Sequence, residues 1–155
     1  MNRVSTTAAA ALAALASASI LASASPASPA AVSAKAAKVQ LRHTSLGTIL
    51  VTGSGFTVYR FTRDPRNKNT CVKVTECASI WPALRTTGKP IAGPGVKASL
   101  LSSIPLAGGS RQVSYAGHPL YLYAPATERG ETSYAGVIAF GGTWDAVSST
   151  GAVVK

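Results

Sequence analysis

Short stretches in which hydrophobic and polar positions alternate predict β-strands along most of the chain. A β-branched run at residues 48–52 is followed by a glycine-rich tripeptide at 53–55 and by an alternating stretch at 56–62. Because glycine adopts positive φ without steric cost, this order predicts a tight β-hairpin. In the returning strand, the two-residue period places Tyr59 and Phe61 on the same face of the sheet.

The second half of the chain repeats this order. Strands are predicted at residues 112–115, 119–123, 137–140 and 143–147, followed by a short tail at 152–154. Gly55 and Gly117 lie 62 residues apart, and Trp81 and Trp144 lie 63 residues apart. One register therefore relates the two halves, which predicts two similar β units.

No segment shows the sustained 3.6-residue periodicity of an amphipathic helix. We therefore predict an all-β fold, with two similar halves forming one compact sandwich- or barrel-like domain at residues 43–155. The repeats are assigned to about 44–84 and 112–151. Residues 85–111, rich in Gly, Pro and Ser, are interpreted as a crossover with one short helical turn at 96–102.

The first 34 residues are predicted to be a secretory signal peptide. A weakly basic start precedes an Ala-, Leu- and Ser-rich segment at 8–22, and A-x-A cleavage patterns end at Ala24 and Ala34. A membrane anchor is disfavoured, because a span needs about 20 strongly apolar residues. We expect a secreted or envelope-associated protein without a membrane span, and a disordered or partly ordered junction at residues 35–42.

The two cysteines argue against a lipid anchor and, given export, predict a disulfide. Cys71 and Cys77 are the only cysteines, so no cysteine near the N-terminus is available for lipid attachment. In an exported chain, this pair predicts an intrachain disulfide. A redox-active pair is the alternative, but the C-x5-C spacing differs from the C-x-x-C of most thiol oxidoreductases.

Several segments together resemble a known family. Residues 59–64 (YRFTRD) follow the pattern tyrosine, any residue, aromatic, any two residues, aspartate, and related segments lie at 47–51, 77–82, 117–121 and 140–144. They resemble the bacterial secreted-repeat family with a Y-x4-D motif, whose members are often predicted lipoproteins. The resemblance spans residues 44–151 and implies tandem repeats and an envelope or extracellular location, but no activity.

The motif residues have two interpretations. Tyr59, Phe61, Tyr121 and Tyr123 either fill the core or line a ligand groove. Asp64 either fixes the turn after the strand or contributes to that groove. The second copy of the motif has Ala126 where the first has Asp64, which favours the structural interpretation because a symmetric binding site would need both carboxylates.

The charge of the chain favours anionic partners. Without residues 1–34, fourteen basic and five acidic residues remain, a net charge of +9. A candidate basic surface comprises Arg60, Arg63, Arg66, Lys68 and Lys73. We therefore predict a non-enzymatic domain, expected to be monomeric, that binds an anionic cell-wall polymer or a small envelope ligand there. Specific nucleic-acid binding is not expected, since stacking on bases needs exposed aromatic rings.

An envelope redox or metal-associated role, using Cys71 and Cys77 or His118, is the alternative. Metal sites need several donors close together, and this chain has two histidines, five acids and paired cysteines. It contains no G-x-S-x-G elbow and no phosphate-binding glycine motif before a helix, so no catalytic residue and no cofactor are predicted.

Overall fold

The computed structural model describes residues 35–155, and the predicted signal peptide at residues 1–34 lies outside them. The strands of the described part are β1 (Lys38–Thr44), β2 (Gly47–Thr52), β3 (Tyr59–Phe61), β4 (Arg85–Thr86), β5 (Ile91–Ala92), β6 (Leu101–Pro105), β7 (Arg111–Tyr115), β8 (His118–Pro119), β9 (Val137–Ala139), β10 (Gly142–Val147) and β11 (Val153–Val154). The helical segments are α1 (Cys77–Ile80) and the 3-10 segments Cys71–Lys73, Ala98–Leu100 and Ala107–Gly109. Strands dominate, so the all-β prediction is confirmed.

The first repeat opens with an antiparallel hairpin of β1 and β2, paired from Val39 opposite Thr52 to Thr44 opposite Gly47. Val39 is fully buried in this hairpin. Since β1 already begins at Lys38, the junction predicted at 35–42 is shorter than expected and the domain starts before residue 43. The alanine- and lysine-rich composition of this region conceals the strand in the sequence.

The glycine-rich turn after β2 reverses the chain as predicted. The amide of Thr52 donates to the carbonyl of Phe56 at 2.8 Å, and the amide of Gly55 donates to the carbonyl of Thr52 at 2.9 Å. The returning segment bridges Thr57 to Val51. Beyond this point the chain leaves β2, and β3 pairs with β10 of the second repeat instead.

The second repeat opens with the equivalent hairpin, in which β6 and β7 pair from Leu101 opposite Tyr115 to Pro105 opposite Arg111. A turn at residues 116–117 then leads into β8, which pairs back on β7. The order of a hairpin, a glycine turn and an aromatic strand is therefore the same in both repeats.

The predicted crossover at residues 85–111 contains the strands β4, β5 and β6. The helical turn expected at 96–102 is limited to Ala98–Leu100. In β6, Leu101 and Ile104 are buried whereas Ser102 is exposed. Leu101 and Ile104 are three residues apart and so point to opposite faces of the strand, and its pairing with β7 forms β6 although its serines and proline are typical of a loop.

The two repeats pair with each other through the motif strands. Tyr59 and Tyr121 lie opposite each other, and each backbone amide donates to the other's carbonyl, at 2.9 and 2.8 Å. Tyr59 also pairs with Ala146 in the last strand of the second repeat, and Tyr121 pairs with Ala83 at the end of the first. A pseudo-two-fold axis between the two tyrosines relates these pairings. The motif segment of each repeat therefore pairs with the segment that ends the other repeat.

The strands form three sheets. Their orders are β2-β1-β5, β11-β10-β3 with β9 also on β10, and β4-β7-β6 with β8 also on β7. All neighbours are antiparallel except β1 and β5. Within the described part of the chain these sheets close into no barrel.

The segments that carry Tyr59 and Tyr121 bury side chains on both faces of the sheet, and they therefore separate two cores. Val58 and Leu120 belong to an aliphatic core, whereas the next residues in the chain, Tyr59 and Tyr121, belong to an aromatic core. Alternation along a strand sends consecutive side chains to opposite faces, which explains this division. The aromatic core is the part of the fold that contains the motif residues.

Candidate functional site

The aromatic core repeats the same ring contacts about the pseudo-two-fold axis. Trp81 and Trp144 stack with centroids 4.1 Å apart and planes 3° apart. Tyr59 meets Trp81 edge-on at 5.2 Å, and Tyr121 meets Trp144 edge-on at 5.1 Å. Phe61 stacks on Trp144 at 4.1 Å. Equivalent rings of the two repeats thus make equivalent contacts in one shared core.

Burial decides between the two interpretations of these rings. Tyr59 and Phe61 are each 1% exposed and Tyr121 is fully buried. These three side chains therefore belong to the core, and Tyr121 also borders a small recess of about 70 Å³. Tyr123 is half-buried; it packs on Trp81 at 4.8 Å and borders a cavity of about 210 Å³.

Asp64 joins the turn of the first repeat to the core of the second. One carboxylate oxygen accepts hydrogen bonds from the amide and the Oγ1 of Thr70, both at 2.7 Å. The other accepts a hydrogen bond from the hydroxyl of Tyr121. Burial and the adjacent Asp64 carboxylate raise the pKa of Tyr121 above its usual range, so Tyr121 remains the donor.

In the second repeat, a backbone carbonyl takes the place of this carboxylate. The hydroxyl of Tyr59 donates to the carbonyl of Glu131 at 3.3 Å, and Thr57 Oγ1 donates to the same oxygen at 2.6 Å. Burial raises the pKa of Tyr59, so its phenol also stays protonated. The hydroxyl of Tyr59 therefore has an acceptor although Ala126 replaces aspartate in this copy.

The predicted disulfide is confirmed, with an S–S distance of 2.05 Å between Cys71 and Cys77. Both residues are fully buried and belong to the aromatic core. The bridge closes the loop of residues 71–77, which contains Lys73 of the predicted basic residues. Such a bridge restricts the unfolded chain and is worth about 2 kcal/mol for a loop this short.

The structure separates the predicted basic residues into three groups. Arg63 and Arg66 are exposed and donate to the carbonyls of Phe140 at 2.6 Å and Ala116 at 2.9 Å. These bonds hold the turn after β3 against two turns of the second repeat. Lys68 and Lys73 are exposed. Arg60 is half-buried, and its contact with the carbonyl of Gly151 is 3.5 Å long.

Acidic groups do little to neutralise this surface. The five acids are Asp64, Glu76, Glu128, Glu131 and Asp145. Asp64 and Asp145 are buried, at 5% and 1% exposure. Among the described residues the one ion pair joins Lys155 to Asp145 at 4.0 Å. The exposed cations of residues 63–73 therefore have no acidic partner within residues 35–155.

A cavity of about 350 Å³ opens beside this surface. Its lining residues are Asn67, Lys68, Asn69, Val72, Arg85, Ile104, Pro105, Leu106 and Ala107. Lys68 and Arg85 are its two charged residues, and both are cationic. Sequence reasoning missed Arg85, because it lies in β4, where the chain was interpreted as crossover. No local sequence signal places it near Lys68, since the pairing of β4 with β7 is non-local.

His118 lies among cations and not among metal ligands. Partial burial, with Arg60 and Arg66 nearby, lowers the pKa of His118, and Asp64 opposes this effect. Within residues 35–155, no group of three or more His, Cys, Asp or Glu side chains is placed to hold a metal ion.

Comparison with known proteins identifies the family. No curated protein and no solved structure matches the chain. A family model described as a secreted repeat of unknown function matches residues 41–85 and 104–148, which correspond to the two structural repeats. None of the helices between residues 35 and 155 has the length and apolar character needed to cross a membrane. The chain therefore belongs to the family of secreted repeats of unknown function.

Proposed function

We propose that this protein is a non-enzymatic, secreted β-domain that binds an anionic polymer of the cell envelope. Binding would use a surface that we call the basic face, which comprises Arg63, Arg66, Lys68, Lys73 and Arg85. This set extends the one predicted from the sequence by Arg85 and omits the half-buried Arg60.

The observation that carries the proposal is that these cations lack ion-pair partners among residues 35–155, including the exposed Glu76 three residues from Lys73. Among residues 35–155, no side chain of the basic face forms an ion pair. Asp64 is the acid nearest in sequence, but its carboxylate is buried and occupied by Tyr121 and Thr70. An approaching polyanion therefore meets cations that need not first break an ion pair.

The disulfide and the arginine contacts support the same proposal, because they fix the backbone beneath the charges. Arg63 and Arg66 are anchored to carbonyls, and Cys71 bonds Cys77 within the same segment. A fixed array of cations loses less conformational entropy on binding than a flexible loop would. Single exposed ion pairs contribute only about 0–1 kcal/mol each, so binding should need several contacts along a polymer.

The experiment compares two triple variants of equal net charge. K68Q/K73Q/R85Q removes three cations from the basic face, and K35Q/K89Q/K97Q removes three exposed cations elsewhere. Retention on polyphosphate beads is measured against sodium chloride concentration. We expect the first variant to elute at clearly lower salt than the wild type and the control to change little, because exposed charges act locally at the ionic strength of elution.

Equal loss of retention in both triple variants would contradict the proposal. Such a result would mean that the net charge of the chain, and not the basic face, attracts the polymer.

The redox or metal-associated alternative has less physical support. Thiol–disulfide exchange requires a thiolate to reach a sulfur atom, and Cys71 and Cys77 are both fully buried. His118 has two arginines near it, and these oppose the approach of a cation. A structural role for the disulfide explains its full burial in the aromatic core.

A further inference from the structure

The cavity beside the basic face has features that a binding site for a polymer backbone alone would not need. Its walls are largely apolar, with Val72, Ile104, Pro105, Leu106 and Ala107 contributing most of the lining. Val72 is 55% exposed, although valine usually lies inside proteins. An apolar cleft with a few convergent polar groups is the usual form of a small-ligand site.

The polar groups of the cavity differ in their availability. Asn69 is engaged, because its amide nitrogen donates to Gln112 at 2.7 Å and its oxygen accepts from the amide of Val72 at 3.0 Å. Arg85 uses Nη1 to donate to Ser110 Oγ at 2.8 Å, which orients the guanidinium and leaves its other donors available. Lys68 has no side-chain partner among the described residues. Lys68 and Arg85 therefore offer two positive charges to a ligand in the cavity.

The cavity continues toward the aromatic core. A recess of about 70 Å³ shares Asn69, Val72, Arg85 and Leu106 with it, so the two spaces adjoin. The recess reaches Trp81. The combined space is therefore lined by the cations Lys68 and Arg85, by apolar side chains and, in the recess, by the largely buried rings of Trp81 and Tyr121.

We propose that this combined space binds an amphiphile with a phosphate head group and an aliphatic chain. The head group would lie between Lys68 and Arg85, and the chain would lie along Val72 and Leu106 toward the recess. A phosphate monoester carries a charge of about −1.5 to −2 at pH 7, which matches two cations with no acid in the lining. Arginine also matches phosphate geometry through paired N–H donors.

This inference rests on the proposed role of the basic face, since both use Lys68 and Arg85. The two differ in their dependence on apolar contact. A polymer held by charge alone would be indifferent to Val72, whereas an aliphatic chain buries apolar surface against it.

The test measures dodecyl phosphate binding by calorimetry below its micelle concentration, with inorganic phosphate and dodecyl maltoside as reference ligands. Dodecyl phosphate should bind at least about tenfold more tightly than either, because only it can occupy both ends of the site. Two variants test the location. V72N removes apolar surface from the wall, and A107F fills the cavity from the exposed Ala107.

Each variant should weaken dodecyl phosphate binding by about tenfold. The matched control is V153N, the same substitution at an exposed valine in β11, and it should leave binding unchanged. Unfolding curves of all three variants show whether the fold is retained. Because Val72 and Ala107 are both exposed, we expect the variants to fold.

The inference is overturned if dodecyl phosphate binds no more tightly than inorganic phosphate, or if V72N and A107F bind it as the wild type does. Polyphosphate retention separates this result from failure of the proposed function. If V72N loses dodecyl phosphate but keeps polyphosphate retention, both proposals stand. If K68Q/K73Q/R85Q keeps polyphosphate retention while V72N loses dodecyl phosphate, only the amphiphile site stands.

Discussion

At the scale of single residues, the Asp64 side chain connects the turn after β3 to the second repeat. Its carboxylate accepts hydrogen bonds from Thr70 in its own repeat and from Tyr121 in the other. A turn-forming aspartate would need only the first of these contacts. The motif therefore links the two repeats as well as ending a strand.

Replacing Asp64 with alanine should lower the free energy of unfolding by about 3 kcal/mol, because it leaves buried donors of Thr70 and Tyr121 without an acceptor. Chemical denaturation measures the loss. Tyr59→Phe is the matched control and should cost less than about 1 kcal/mol, since the hydroxyl of Tyr59 makes a single long bond of 3.3 Å. A loss in Asp64→Ala no larger than in Tyr59→Phe would contradict this role.

The buried phenols of Tyr59 and Tyr121 lead us to predict a loss of stability at alkaline pH. Burial raises the pKa of Tyr59 and Tyr121 above the usual value of about 10, so the folded state keeps their protons when the unfolded state releases them. Their contribution is fully present below about pH 10 and is lost as the pH rises further. The free energy of unfolding should therefore fall with pH above about 10.

Denaturant unfolding between about pH 8 and 11.5, compared with the Y59F/Y121F variant, isolates this contribution from that of the lysines. The variant should lose stability with pH more slowly than the wild type. Parallel curves for the two proteins would show that these phenols titrate normally.

At the scale of elements, the strands of each repeat pair with strands of the other. Expressed separately, residues 35–93 and 94–155 should each be unfolded, because β3 and the segment around Tyr121 would lose their partners. An equimolar mixture should regain native circular dichroism and cooperative unfolding. Cooperative unfolding of either fragment alone would contradict the interdependence of the repeats.

The sequence predicts where strands and turns lie better than it predicts which strands pair. Gly55 and Gly117 mark the turns correctly, and the 63-residue spacing of the tryptophans correctly relates the repeats. Strand β6 was missed because its two buried residues, Leu101 and Ile104, are three positions apart and give no two-residue alternation. The exchange of strands between repeats could not be predicted, because Tyr59 pairs with residues that are 62 and 87 positions away.

At the scale of the whole molecule, the cysteine count correctly predicts the disulfide. The basic residues between positions 60 and 73 predict most of the residues that we assign to the basic face. Arg85 was not predicted, because only tertiary pairing of β4 with β7 brings it to the cavity that Lys68 lines. The burial of Asp64 and Asp145 was also beyond sequence reasoning, since charge counts do not say which charges face solvent. Burial of these acids leaves the exposed surface dominated by cations.

The most direct test of the central claim is the position of the binding surface on residues 35–155. Amide chemical-shift changes on titration with polyphosphate map this surface residue by residue. We predict that the largest changes cluster at residues 66–73, at Arg85 and at residues 104–107. Changes spread evenly over all exposed lysines and arginines, or centred on Lys89 and Lys97, would contradict the account.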